Sequence, residues 1–195
     1  MIYESHFWKD DLLKKARSLA ARKTQSRWPE TSFGRVEQTV MNGFYAIRKL
    51  IESHKIADAL THRQVPVETF SWLGKPVTSQ NWHQYWGLYD LSTRKAETRE
   101  LIFLAHLVIH SYVFLLEFDE ANRCVGILVT SDHQRHRCLY SLRIDRLVEL
   151  FEAIGNDYPN SYQLRFNPVR NDFDFTIRTR DESCETKSYV NSASR

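Results

Sequence analysis

Residues 98–118, TRELIFLAHLVIHSYVFLLEF, are the most apolar run of the chain, and their reading decides the fold. At about 100° per residue the first half is helical in pattern. Arg99 and His106 stand seven positions apart and share a helix face; His110 follows one turn later, rotated by about 40°. Leu101, Leu104, Ala105, Leu107, Val108 and their neighbours fill the remainder, and a helix apolar nearly all round is a buried one. From Ser111 the residue types change to Tyr112, Val113, Phe114 and Leu115. Aromatic and β-branched side chains there predict a strand over 112–119.

The two histidines admit several readings. A membrane span needs about 20 apolar residues; 101–116 is too short and contains His106 and His110. Histidines at i and i+4 converge on one face, as metal ligands do. HLVIH lacks the glutamate of the HExxH pattern, however, and no third ligand stands at a matching spacing, so no metal and no cofactor is expected. In a core helix both rings are buried against hydrogen-bonding partners.

On the C-terminal side, strands are expected at 123–130 and 137–142, with hairpin turns at 119–122 and 131–136. The second turn carries His133, Arg135 and His136 and is followed by Arg137, a basic loop tip of the kind that carries function. Arg135, His136 and Arg137 are therefore candidate contacts for nucleic acid or a partner. A helix over 145–154 follows, with Asp145 as N-cap and Leu147, Leu150, Phe151 and Ile154 as its buried stripe. A last hairpin, 161–167 with 173–179, turns around Asn167-Pro168, and the polar tail 181–195 is expected to be disordered.

On the N-terminal side, 6–25 reads as an amphipathic helix with Leu12, Ala16 and Leu19 inward and a basic outer face. A second helix, 32–53, repeats Val36, Val40, Phe44, Ile47 and Ile51 at helical spacing. Gly43 in its middle costs about 1 kcal/mol against alanine, and close approach of another helix would be a reason to keep it. Arg48 breaks the apolar band, as a surface residue or as a partner for an acid or a phosphate. A short third helix at 56–64 precedes a strand at 65–72, where Pro66 suggests an edge, and a brief strand at Val77. Ser79 is expected to cap a short helix through Trp82 and Trp86; these tryptophans either stack on bases or cover the core. Ser92 or Thr93 is expected to cap the central helix.

The chain of 195 residues suits a single domain over 1–180. At 42% hydrophobic and 13% aromatic it can bury a core. The net charge of +3 is too balanced to imply nucleic acid by itself, and no glycine-rich phosphate loop occurs. MIYESHFWKDD has no signal-peptide pattern, and three cysteines without CxxC spacing point to a reduced, cytoplasmic chain. The expected class is α+β: three to four main helices packed with antiparallel β-hairpins after the central helix.

The string His106-Leu-Val-Ile-His110-Ser-Tyr112 resembles the end of the motif of HEPN-type ribonucleases, all-helical proteins of bacterial toxin and defence systems. His110 and Tyr112 match its last two polar positions; Ala105 stands where one branch has arginine, and His106 where it has asparagine. Arg99 and His106 satisfy a looser arginine–histidine spacing. Residues 43–52 and 109–114 are also similar to segments of short bacterial proteins. The HEPN resemblance implies a metal-independent, RNA-directed protein, cleaving or degenerate, that pairs as a homodimer. His110 or His106 would be the acid or base, Arg99 the phosphate cation and Tyr112 a neighbour. The alternative is a non-enzymatic interaction component of a bacterial assembly, using 79–89 and 132–137 as contact surfaces. A third reading is direct nucleic-acid binding through the first helix and the last hairpin.

Overall fold

The computed structural model describes residues 2–179, so the tail expected over 181–195, and Cys184 with it, lies outside the described residues. The chain is α+β. Helices α1 (His6–Arg22), α2 (Glu30–Glu52) and the short α3 (Asp58–Thr61) come first. Strands β1 (Gln64–Ser71) and β2 (Lys95–Glu100) then enclose a long covering segment. Helix α4 (Leu101–Ile109), strands β3 (Ser111–Phe118), β4 (Cys124–Ser131) and β5 (Cys138–Arg143), and helix α5 (Ile144–Gly155) follow. A separate ribbon of β6 (Ser161–Asn167) and β7 (Asp172–Arg178) ends the described chain.

The hairpins expected after the central helix do form; β3-β4 and β4-β5 join the earlier strands in one antiparallel sheet ordered β2-β1-β5-β4-β3, and the last hairpin stands apart from it. Helices pack on one face, where Leu12, Val40, Phe44, Leu104, Val129 and Phe151 share a core. Gly43 is there for the expected reason: a Cβ would lie 2.2 Å from Cζ of Phe151 in α5. On the opposite face, residues 72–94 fold over Phe70, Val113, Leu128 and Leu139 to make a second core.

Several expectations are corrected. Residues 95–100 are a strand, not the lead-in to the central helix, so Ser92 and Thr93 cap nothing there. KAETRE suits a helix by composition; full pairing from Gln64↔Glu100 to Thr69↔Lys95 overrides that preference. β1 is an interior strand, although β5 reaches it only from Glu68 onward, which leaves Pro66 with a single neighbour strand. Val77 forms no strand, and Asn81, not Ser79, organises the next turn by accepting from the Thr78 N–H at 2.7 Å. Only a 3-10 turn, Tyr85–Gly87, replaces the short helix. Arg143 is the N-cap of α5; Asp145 lies in the first turn and pairs with Lys23.

Candidate functional site

The apolar positions of α4 decide where its histidines go. Leu101, Leu104, Ala105 and Val108 all point into the core and are buried. His106 and His110 lie about half a turn away from that stripe and are exposed. The buried-histidine expectation is therefore wrong: a nine-residue helix on a core buries one side only. The two rings lie side by side, centroids 4.5 Å apart and tilted by 49°.

Helix α2 supplies the cation. Its stripe Val40, Phe44 and Ile47 is buried, which sets Arg48 at the border facing α4. Arg48 Nη1 lies 3.2 Å from His110 Nε2. Arginine can only donate, so in this bond Nε2 is the acceptor. The same guanidinium donates through Nε to Glu52 at 2.7 Å, and Lys49 donates to the other oxygen of Glu52 at 2.8 Å. Hydrogen bonds from Lys49 and then Arg48 hold the Glu52 carboxyl below its ordinary range.

The sheet brings the β4–β5 loop beside them, since Ser111 pairs with Ser131. Partial burial, then the positive influence of His110, Arg48 and His133, lowers the pKa of His106. Its imidazole is therefore neutral at neutral pH. Tyr112 follows at a register irregularity of β3, and the Arg135 guanidinium lies over its ring at 4.1 Å. Arg135 also pairs with Asp132 at 3.3 Å, while its Nε is buried without a hydrogen-bond partner.

The structure thus brings His106 and His110 together with Arg48, and His133 acts on His106 from the loop. Tyr112 packs instead against the second core, with Arg135 over its ring and the Arg135 carbonyl bound to Tyr89 there. Arg99 does not belong to this group. It lies on β2 opposite Val65, pairs with Glu97, and rests against Phe103 and Tyr140. A hydrogen bond with Tyr140 strengthens its positive state. Arg48, readable from sequence as a surface residue or a partner for an acid or a phosphate, meets a histidine 62 positions away that no local pattern points to.

The remaining candidates belong to the second face. His136 Nε2 accepts the Val77 N–H at 3.1 Å and its ring packs beside Trp72. Arg137 is exposed, and its main-chain carbonyl accepts from Trp72 N–H. Trp82 is partly buried in the second core, whereas Trp86 is exposed. Cys124 is buried and its thiol is pushed up to about 11; burial also raises Cys138, so neither is a ready nucleophile.

A cleft of about 830 Å³ lies between α3, the end of α5 and β7, but its carboxylates are engaged. Asp58 accepts the Ile177 N–H at 2.9 Å and Asp157 the Ala57 N–H at 2.7 Å. Among the described residues no group of three or more His, Cys, Asp or Glu is arranged to hold a metal ion. None of their helices is long and apolar enough to cross a membrane. No family model, curated protein or solved structure matches the chain.

Proposed function

We propose that the surface formed by Arg48, His106 and His110 engages RNA at a phosphodiester, as the HEPN resemblance suggests. The observation that supports it is a neutral, exposed imidazole at His106 beside a second imidazole that already binds a guanidinium. Arg48 replaces Arg99 as the phosphate cation in this reading.

In the cleaving form, neutral His106 takes the proton of a ribose 2′-hydroxyl. The 2′-oxygen bonds to the adjacent phosphorus as the bond from phosphorus to the 5′-oxygen breaks. The proton taken up by His106 passes through water to that leaving oxygen, while Arg48, oriented by its bond to His110 Nε2, donates to the non-bridging oxygens. The products are a 2′,3′-cyclic phosphate and a 5′-hydroxyl, with no metal or co-reactant consumed. In the degenerate form the same groups bind RNA and leave it intact.

The test is incubation of the full chain with a single-stranded RNA in chelator, beside the same strand carrying 2′-deoxyribose. Cleavage of the RNA alone, reduced on the order of 100-fold or more in His106→Ala and Arg48→Ala, is the result expected of the cleaving form. Salt-sensitive binding without cleavage, weakened by Arg48→Ala, identifies the degenerate form. The absence of both binding and cleavage overturns the proposal. The alternative, a non-enzymatic interaction component, draws its support from another region, the exposed apolar face of the β6–β7 ribbon.

A further inference from the structure

The β6–β7 ribbon pairs with no other strand. Its register places Tyr162 opposite Ile177, Leu164 opposite Phe175 and Phe166 opposite Phe173. Opposed residues of an antiparallel pair share a face, so these six apolar side chains make one side of the ribbon. The other side carries polar pairs such as Gln163↔Thr176 and Arg165↔Asp174.

The root of the apolar side is anchored. Ile177 is buried, its N–H donates to Asp58, and Phe175 stacks on His54 with centroids 3.9 Å apart. The outer part is uncovered by the described chain: Tyr162 is 47% exposed, Leu164 57%, Phe166 51% and Phe173 46%. A two-stranded ribbon alone is marginal in water, and a contiguous apolar face of this size marks a contact surface.

We infer that this face packs against the same face of a second copy of the chain, making a two-fold dimer through the C-terminal ribbons. This inference is independent of the proposed RNA site. At roughly half exposure of side chains of about 150–250 Å² each, the four uncovered residues present about 400 Å² of apolar surface. With the usual apolar share of just over half, a contact built on it buries about 700 Å² per copy, within the range of a stable pairing. The face bears no charge, so a two-fold axis brings no like charges together. Apolar matching therefore favours the face against itself.

Sedimentation equilibrium of the full chain over a micromolar dilution series tests this. The expected mass is that of two copies, falling to one in the double variant Leu164→Glu, Phe166→Glu with the far-UV spectrum unchanged. Arg165→Glu, on the polar side, should leave the dimer intact and controls for effects on folding. A monomeric wild-type chain overturns the inference, whether the face then proves to bind lipid vesicles or to be covered by the chain's own tail. A dimer that survives the double variant overturns it too.

Discussion

The two faces of the central sheet are covered in different ways. On one, α1, α2, α4 and α5 deliver aliphatic side chains at helical spacing, and Leu12, Phe44, Ile47, Leu104, Leu147 and Phe151 are fully or almost fully buried. On the other, a segment with hardly any regular structure holds its aromatic residues by individual hydrogen bonds. Tyr89 donates from its hydroxyl to the Arg135 carbonyl at 2.8 Å, and Trp72 from its indole to the Lys75 carbonyl at 2.7 Å. Beside it, Arg94 ties Glu68 of β1 to Glu117 of β3 at 2.7 and 2.8 Å. The first face rests on packing volume and the second on polar geometry, so single substitutions should weigh differently on them.

The largest effect is expected from Phe151→Ala. Its ring fills the space above Gly43 and meets Phe44 edge-on at 5.8 Å. Removing it leaves a cavity between α2 and α5 and should cost about 3–5 kcal/mol, read as a lower urea midpoint. Gly43→Ala attacks the same contact from the other side: the new methyl overlaps the Phe151 ring. It should cost about 1–3 kcal/mol, although alanine is the better helix former. A stabilised Gly43→Ala chain would mean that α2 and α5 are not in this close contact.

On the second face, Tyr89→Phe removes one hydroxyl and leaves the Arg135 carbonyl without that donor. Burial, chiefly, also raises the Tyr89 pKa, so it stays a donor throughout the accessible range. The expected loss is about 1 kcal/mol in thermal or urea unfolding. A loss as large as that of Phe151→Ala would show that the covering segment is as strongly coupled to the fold as the helices are.

The same contrast separates what the sequence discloses from what it conceals. Val36, Val40, Phe44 and Ile47 announce their helix and its buried side by spacing alone, and Leu147, Leu150, Phe151 and Ile154 do so in α5. β2 has no such signature: Lys95 to Glu100 is polar, mostly exposed, and a strand only because β1 lies beside it. Arg99 therefore lies on a strand and not on the helix face that its spacing from His106 predicts. The exposure of His106 and His110 was also hidden, because an apolar helix looks alike whether one side or all sides are covered. Arg48 became a site residue only through the contact of α2 with α4, a distance in sequence that no local pattern spans.

The smallest predicted effect tests the site through its protons. The His106 pKa in the folded chain is below the ordinary 6.5. Between those two values the unfolded chain binds the proton and the folded chain does not, so stability falls as the pH drops below about 6.5. Above that pH the neutral form is common to both states and the group contributes no pH dependence. His106→Ala should therefore flatten the fall of the urea midpoint between pH 7.5 and 5.5, while Arg99→Ala should leave its slope unchanged. Arg48→Ala removes one of the positive groups acting on His106 and should flatten the slope in part. An unaltered slope in His106→Ala would mean that the folded surface takes up this proton as readily as the open chain. The imidazole would then lack the environment that makes it a base beside a phosphate.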